Sequence, residues 1–310
     1  MNGTIIALGS INVDVQVRTE RWPEPGETLI GRDFIMLGGG KGANVAFLAR
    51  RLGAPALLIG RVGDDLLARH ALQPLDQAGV DLSHVRRLTG QSTALSMITV
   101  RKDGEKAIVL APNANEVWDE ADAERAAAAI AQAPDGSLLV VDLEVGRTVA
   151  QRALAAARQR GSPVVLDPSP ADRVTDAMLR RADFLTPNPS EAHRLTGIEV
   201  KTARDAARAG RTLVERGVRV AFMKLGDGGC VVVTREGTQR VVARKVKVVD
   251  KTGAGDAFAG ALAVALFEGK EPAEAARFAV AASTFAVTGW GSQPSYPTRD
   301  QIEALLPAAG

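Results

Sequence analysis

Residues 249 to 258 form the stretch that decides the fold: Val249-Asp250-Lys251-Thr252-Gly253-Ala254-Gly255-Asp256-Ala257-Phe258. Valine and lysine alternate over residues 245–248, which predicts a strand, and the apolar run from Ala257 to Phe267 predicts a helix that ends at Gly269. Glycines in the turn between them let the backbone approach a ligand closely, and the first N–H groups of the helix attract an anion. The stretch therefore predicts a phosphate-binding junction between a strand and a helix.

Asp256 is the unusual residue of this junction. A carboxylate at the rim of an anion site repels a phosphate, unless it is needed to take a proton from an attacking hydroxyl. The alternative is that Asp256 only stabilises the first turn of the helix through the helix dipole.

A second glycine cluster occurs near the N-terminus, where Gly38-Gly39-Gly40-Lys41-Gly42-Ala43-Asn44 opens a predicted helix that runs to about Leu52. The cluster is not a P-loop, because Ile35 stands where the first glycine is required and Gly42 stands where Ser or Thr is required. It fits the dinucleotide fingerprint only weakly, since it does not follow the first strand of a βαβ unit. The cluster predicts a second close approach of the backbone to a ligand.

Composition excludes several classes of protein. Lys plus Arg total 38 and Asp plus Glu total 36, a balance that predicts neither a nucleic-acid nor a membrane partner. The single cysteine, Cys230, excludes an intrachain disulfide, and the three histidines have no metal-ligand spacing. No apolar run is long enough to span a bilayer and no signal-peptide pattern is present, so we expect a cytoplasmic protein.

Short Val/Ile/Leu runs alternate with longer Ala/Arg/Leu helical patterns along most of the 310 residues. This alternation predicts an α/β fold with a mostly parallel sheet and helices on both faces. Polar or glycine residues follow the predicted strands, where open α/β sheets bind ligands: Asn12, Asp14, Glu144, Asp167, Asn188, Gly226 and Asp250. Each of these taken singly is as well explained as a helix cap or a turn former.

Two segments do not follow the alternation. Residues 13–34 and 94–110 have an extended pattern, and the turn Lys102-Asp103-Gly104 predicts a hairpin within the second segment. We expect the two segments to pair as a small separate sheet whose apolar residues contact substrate, lid or a second subunit.

The two glycine motifs together resemble those of the phosphofructokinase-B type carbohydrate kinases, and within that family the chain is most similar to the ribokinase branch. Three further stretches match the same pattern: Gly9-Ser10-Ile11-Asn12-Val13-Asp14, Pro25-Gly26-Glu27-Thr28 and Gly291-Ser292-Gln293-Pro294-Ser295. The resemblance runs from about residue 5 to residue 305. It implies one ribokinase-like α/β kinase domain over residues 1–310, with the small sheet as a lid and as the contact of a homodimer.

The resemblance also implies an activity. The family transfers the γ-phosphate of ATP, with Mg²⁺, to the primary hydroxyl of a sugar, and the match implies D-ribose and ribose 5-phosphate before fructose, 2-keto-3-deoxygluconate or a nucleoside. A non-catalytic sugar-binding protein on the same fold is a second class, but a pure binder has no use for Asp256. A nicotinamide-dependent dehydrogenase is the third.

Roles for individual residues follow from the resemblance alone. Asp256 matches the catalytic base, and the backbone of Gly253, Ala254 and Gly255 matches the anion hole. The sugar-binding positions are matched by Asn12, Asp14, Gly39, Gly40, Lys41, Asn44 and Glu144. The nucleotide-binding positions are matched by Asn188, Lys224, Gly226, Gly229 and Gly255, with Glu191 holding magnesium through water. Asn188 and Glu191 also fit a helix capping box.

The resemblance further implies a potassium ion beside the anion hole, bound at positions that match Asp250, Thr252, Ala286, Gly291 and Ser295. The chain departs from the family at two lysines, because Lys224 and Lys251 both stand where Thr is usual. If the Lys251 ammonium reached inward it would repel and replace a potassium ion. We favour the alternative, in which Lys251 points to solvent and the ion site is retained.

Overall fold

The computed structural model describes residues 2–306. The strands in these residues are β1 Ile5–Leu8, β2 Asn12–Thr19, β3 Phe34–Gly39, β4 Ala56–Gly63, β5 Asp81–Leu88, β6 Ala94–Arg101, β7 Lys106–Ala111, β8 Leu138–Val141, β9 Val164–Leu166, β10 Phe184–Leu185, β11 Val220–Lys224, β12 Cys230–Val233 and β13 Thr238–Val241. The helices are α1 Lys41–Arg51, α2 Leu66–Gln77, α3 Glu120–Ala131, α4 Arg147–Arg160, α5 Asp176–Leu179, α6 Pro189–Thr196, α7 Ala203–Glu215, α8 Ala254–Phe267, α9 Pro272–Ala286 and α10 Arg299–Glu303. Short 3₁₀ segments occupy Asn113–Glu116, Ala171–Arg173 and Gln293–Ser295.

Nine strands form the larger sheet in the order β13-β12-β11-β10-β9-β8-β1-β4-β5. Neighbours from β11 to β5 pair in parallel, while β12 and β13 are added antiparallel at one edge. The parallel strands are buried apolar runs, as expected for strands covered on both faces. The predicted ribokinase-like α/β fold is confirmed.

Helices cover both faces of this sheet. One buried apolar cluster packs α1, α8 and α9 against it, and a second packs α3, α4 and α7 against the opposite face. Helix α8 lies between α1 and α9 and is apolar all round, with buried residues from Asp256 to Ala265. Gly260 lets α1 approach α8 closely, since a Cβ atom there would lie 3.5 Å from the Val45 Cα atom.

The smaller sheet has four strands in the order β3-β2-β6-β7. β6 and β7 form the predicted hairpin, and β2 pairs in parallel with β6. The predicted bounds of the first segment were wrong. Residues 20–33 are turns and irregular chain, whereas the apolar run Phe34–Gly39 is a strand of the small sheet and leads directly into α1.

The strand predicted over residues 245–248 is absent from the described structure, in which β13 ends at Val241 and residues 242–248 have no ladder partner. Ala243, Lys245, Val246 and Val248 instead line a cleft. The alternation of valine and lysine is therefore explained by an unpaired segment that runs between the cleft and solvent, and not by a strand. Strands β5 and β13, at the two edges of the sheet, were not predicted because their side chains are mostly exposed.

Among the helices of residues 2–306, none has the length and apolar character that crossing a membrane requires.

Candidate active site

A cleft of about 1000 Å³ lies between the small sheet and the carboxyl ends of the parallel strands. Most of the site residues predicted from the sequence line this cleft. Five do not: Gly39 packs behind Asp14, and Asp250, Ala286, Gly291 and Ser295 lie outside the cleft lining. The sequence therefore identified one contiguous site.

The Thr252–Gly255 turn ends in helix α8 with Gly253 as the N-cap, at φ 73°. This left-handed conformation favours glycine, and a Cβ atom there would also lie 2.7 Å from the Tyr296 hydroxyl oxygen. The Gly253 carbonyl accepts hydrogen bonds from Ala257 N at 2.8 Å and from the Tyr296 hydroxyl at 3.1 Å. Among the described residues no group accepts from Gly253 N or Gly255 N, while Ala254 N makes only a long hydrogen bond of 3.4 Å to the Lys251 carbonyl, so this turn can present N–H groups to an anion in the cleft.

Asp256 lies in the first turn of α8 and is buried beside the start of α1. Asn44 Nδ2 donates to Asp256 Oδ2 at 2.7 Å, and the Lys41 ammonium is 3.4 Å from Asp256 Oδ1. Burial acts to raise the pKa of Asp256, but Lys41, Asn44, Lys106 and Lys224 outweigh it and the pKa is lowered. The carboxylate is therefore ionised at neutral pH and can accept a proton.

Asp167, at the end of β9, lies between two lysines. Its Oδ1 atom is 3.9 Å from the Lys41 ammonium, and its Oδ2 atom is 3.8 Å from the Lys224 ammonium. Burial lowers the pKa of Lys41, but Asp167, Asp256 and Glu144 outweigh burial and raise it well above its ordinary value. Two cations are thus held beside the turn at the start of α8.

The small sheet and the start of α1 supply a second group of polar side chains. Asn12 Nδ2 donates to Ser96 Oγ at 3.3 Å, and Glu144 Oε2 accepts from Ser10 Oγ at 2.9 Å. Burial, with repulsion from Asp256 and Glu144, raises the pKa of Asp14 to about 7, although Ser96 partly offsets this. Such carboxylates and amides offer both donors and acceptors to a polyhydroxylated ligand.

The other end of the cleft is formed by the start of α6 and the β11–β12 turn. Asn188 and Glu191 form the capping box, with Asn188 N donating to Glu191 Oε2 at 2.8 Å and Glu191 N donating to Asn188 Oδ1 at 2.9 Å. Gly226 and Gly229 flank the turn, and the cleft lining also includes the apolar Val246, Val248 and Val287 together with Arg244 and Lys245. This end suits a flat apolar ring joined to an anionic group.

Behind the Gly253 turn, the buried Asp250 carboxylate ties two loops together. Thr252 N donates to Asp250 Oδ1 at 2.8 Å and Gly291 N donates to Asp250 Oδ2 at 2.9 Å. Ala286 ends α9 immediately before Val287, whose carbonyl accepts from Val249 N at 2.8 Å. The Thr252 hydroxyl is buried and has no hydrogen-bond partner among the described residues. An oxygen-rich pocket with an unsatisfied hydroxyl fits a monovalent cation.

Lys251 does not enter that pocket. Its ammonium lies 2.5 Å from Glu105 Oε1 on the β6–β7 hairpin, and 40% of the side chain is exposed. The ammonium therefore stays outside the proposed ion site, as favoured from the sequence, but it pairs with Glu105 at the cleft instead of pointing freely to solvent.

The polar residues around the site that sequence reasoning missed include Ser10, Asn115 and Lys106. Ser10 donates its backbone N–H to Asp142 and accepts from Lys41 N, so it joins two loops that are distant in sequence. Asn115 donates to Asn12 Oδ1 at 2.8 Å from a short 3₁₀ segment that has no periodic signal. Lys106 lines the cleft from β7. The alternation of Lys106 with Ile108 and Leu110 could have placed it on the inner face of the small sheet.

The raised pKa of Asp14 has a consequence for stability. Because folding favours its protonated form, ionisation destabilises the folded chain as the pH rises from about 4 to 7. We expect Asp14→Asn, which cannot ionise, to raise the free energy of unfolding by about 2 kcal/mol more at pH 8 than at pH 5, measured by urea denaturation. Asp172→Asn, at an exposed position, is the control. A gain of equal size at both pH values would contradict the burial argument.

Comparison with known proteins gives a consistent result. Residues 2–299 match the model of the pfkB family carbohydrate kinases. The chain is 37% identical over 307 residues to a ribokinase of Haemophilus influenzae, covering 99% of both chains. It is 33% identical to a deoxyribokinase of Salmonella typhi, covering 97% of this chain and 98% of the relative.

A similar structure is the Arabidopsis thaliana ribokinase complexed with ribose and ATP. It superposes with a TM-score of 0.84 at 30% sequence identity, covering 100% of both chains. The chain belongs to the pfkB family of carbohydrate kinases and is an ATP-dependent sugar kinase.

Proposed function

We propose that the protein phosphorylates the primary hydroxyl of D-ribose and produces ribose 5-phosphate and ADP. The observation that carries this proposal is the ionised Asp256, held by Asn44 at 2.7 Å beside the left-handed Gly253 turn. Transfer of a phosphoryl group to a hydroxyl requires a proton acceptor and N–H donors close together in a cleft, and this turn supplies both. The ribokinases among the relatives support ribose as the acceptor.

In this mechanism Asp256 accepts the proton of the sugar hydroxyl as its oxygen attacks the γ-phosphorus of ATP. The N–H groups of Gly253, Ala254 and Gly255 stabilise the charge on the transferred group. Asn12, Asp14, Gly39, Gly40, Lys41, Asn44 and Glu144 bind and orient the sugar. Gly39 acts indirectly, because the absence of a side chain there makes room for the Asp14 carboxylate.

Asn188, Lys224, Gly226 and Gly229 bind the nucleotide in the proposed complex. Magnesium would supply positive charge that offsets the charge of the ATP phosphates. Within residues 2–306, no cluster of three or more acidic, histidine or cysteine side chains could enclose a metal ion. This donor set fits an ion that keeps its waters and is held mainly by ATP, with Glu191 as an outer ligand through water.

We further propose that residues 1–310 act as one kinase domain, with the small sheet as the lid over the sugar. The proposed location is the cytoplasm, where ATP is available. The lid strands contribute Asn12, Asp14 and Ser96 to the same cleft that Asp256 faces from the larger sheet. Neither sheet alone contains the proposed sugar site.

The substrate is tested by ADP release with ribose, 2-deoxyribose, fructose, 2-keto-3-deoxygluconate and inosine. 2-Deoxyribose is the second candidate, because two deoxyribokinases are 33% identical to the chain. We expect the highest kcat/KM with ribose. A higher value for 2-deoxyribose would move the assignment to that sugar, and no activity with any acceptor would refute the proposal.

Removal of the proposed base should abolish turnover without unfolding the protein. We expect Asp256→Asn to lower kcat by about two to four orders of magnitude, because a general base contributes about that factor. Ribose affinity, measured by calorimetry, should stay within a few-fold. Asp176→Asn, at a surface carboxylate that pairs with Arg216, is the matched control and should keep full activity. Near-normal turnover of a folded Asp256→Asn protein would remove Asp256 from the mechanism.

Potassium should activate the enzyme. An ion held by oxygens of Asp250, Thr252, Ala286, Gly291 and Ser295 would fix the Gly253 turn in its phosphate-binding shape. We expect higher kcat in potassium than in sodium or tetramethylammonium at equal ionic strength, with a smaller effect on ribose affinity. Identical rates in the three salts would refute the site, and potassium dependence that appeared only in Lys251→Thr would show that the ammonium replaces the ion.

The lid should also form the contact of a homodimer. The face of the small sheet opposite the cleft exposes Phe34 by 69%, Met97 by 63% and Val109 by 71%, and Met97 and Val109 are cross-strand neighbours. We expect a dimer in sedimentation velocity and a monomer for Val109→Glu. Val242→Glu, at another exposed apolar position, should leave the dimer intact. A monomeric wild-type protein at micromolar concentration would contradict the proposal.

A further inference from the structure

The inner face of the lid hairpin carries one cation. Lys106, Ile108 and Leu110 alternate along β7, and all three line the cleft. Across the hairpin they pair with Val100, Ile98 and Ser96 respectively. Lys106 therefore points to the same side of the small sheet as the residues proposed to bind the sugar.

Lys106 lies at the opposite end of this face from the sugar-binding residues. Asp14 pairs with Ser96, and Ser96 pairs with Leu110, so these residues form one row of the sheet. Lys106 is four residues from Leu110 along β7, or about 13 Å at the usual rise of a strand. It thus lies toward the turn of the hairpin.

That hairpin turn contacts the loop that precedes the proposed anion hole. Lys251 N donates to the Gly104 carbonyl at 3.2 Å, and the Lys251 ammonium pairs with Glu105 at 2.5 Å. Lys106 follows directly, so its side chain enters the cleft next to residues 252–255. Lys106 thus lines the same cleft as the turn at which the γ-phosphate would be transferred.

Lys106 also lacks a counter-charge. Lys41 and Lys224 each have a carboxylate oxygen within 4.0 Å, whereas across residues 2–306 no carboxylate comes that close to the Lys106 ammonium. Burial lowers the pKa of Lys106, and attraction from Asp256, Asp250 and Asp14 does not fully offset this, because Lys41 repels it. A partly buried ammonium without a carboxylate partner gains more from an anion in the cleft than Lys41 or Lys224, which are already paired.

The chemistry of the reaction identifies that anion. The sugar is neutral, so it offers no charge to Lys106. During transfer the sugar oxygen forms a bond to the γ-phosphorus, the bond to the bridging oxygen of ADP breaks with its electron pair leaving on ADP, and the hydroxyl proton goes to Asp256. Negative charge then lies on the three equatorial oxygens of the transferred group.

We propose that Lys106 is a catalytic residue of the lid that contacts an equatorial oxygen of the transferred phosphoryl group. This role rests on the proposed function and adds a third lysine to the site. Lys41, at the start of α1, and Lys224, at the end of β11, share the Asp167 carboxylate, whereas Lys106 reaches the phosphoryl group only with the lid over the cleft. Lys106 transfers no proton, so its contribution is charge stabilisation.

Steady-state kinetics of three variants test the proposal. We expect Lys106→Met to lower kcat by about 100-fold to 1000-fold, the usual effect of removing one donor to a developing charge, with the KM for ribose within threefold. Lys106→Arg should recover activity to within about tenfold of wild type. The matched control is Lys102→Met, on the same hairpin but 75% exposed and 3.6 Å from Glu20, and it should be unaffected.

Binding measurements separate charge stabilisation from a structural role. Aluminium fluoride with ADP and ribose imitates the transferred group, and we expect Lys106→Met to weaken fluoride-dependent binding by at least 30-fold. Binding of ADP and ribose without fluoride should stay within threefold of wild type, because an interaction made in the transition state leaves ground-state binding unchanged.

Undiminished fluoride-dependent binding, or full kcat in Lys106→Met, would overturn the proposal. A loss seen only as a raised KM for ribose would do the same and would make Lys106 a sugar ligand. If the wild-type protein were inactive with ribose, the proposed substrate alone would fail, since the fluoride measurement with ADP still decides the role of Lys106.

Discussion

The contact between the first turns of helices α1 and α8 is the interaction on which the site depends. Asn44 and Lys41 in α1 hold Asp256 in α8, so two glycine-rich helix starts more than 200 residues apart meet at one carboxylate. Two glycines allow close packing around this contact. A Cβ atom on Gly42 would lie 2.7 Å from the Gly9 Cα atom in the loop after β1, and one on Gly260 would lie 3.2 Å from Leu48 Cδ2 in α1. Gly42 therefore sets the position of α1 against the end of β1, and Gly260 eases the packing of α1 on α8.

The carboxyl groups around this contact differ in the direction of their pKa shifts, and the difference suits the proposed chemistry. Burial raises the pKa of Asp14, Glu144 and Glu191, whereas three lysines and Asn44 lower that of Asp256. Asp256 is thus the carboxylate most strongly stabilised in its ionised form. A low pKa makes it a weak base in the free enzyme. Phosphoryl transfer tolerates this, because in its loose transition state little bonding to the attacking oxygen has formed.

The sequence predicted the parts of the site that depend on local signals. The turn from Thr252 to Gly255, the helix that opens in the first glycine cluster and the capping box at Asn188 all follow from residues a few positions apart. The helix predicted from Ala257 begins three residues earlier, at Ala254. The partners that bring these parts together could not be predicted in this way, because Asn115 and Ser10 act across more than 100 residues. The strand predicted over residues 245–248 was wrong for the same reason. Alternation of residue types in the sequence does not distinguish a strand that pairs within a sheet from an unpaired segment that lines a cleft.

The lid is joined weakly to the loop beside the anion hole, and this suits a part that must open in every catalytic cycle. The contact includes one backbone hydrogen bond, from Lys251 N to the Gly104 carbonyl, one partly exposed ion pair, between Lys251 and Glu105, and packing of Gly104 against Val248. Exposed ion pairs contribute only about 0.2 to 1 kcal/mol, so thermal motion breaks them readily. By contrast, the hydrogen bonds that hold the Gly253 turn involve Asp250 and Tyr296, which are buried. In the proposed cycle, the phosphate-binding turn would therefore stay in place while the small sheet opens to admit the sugar and release its phosphate.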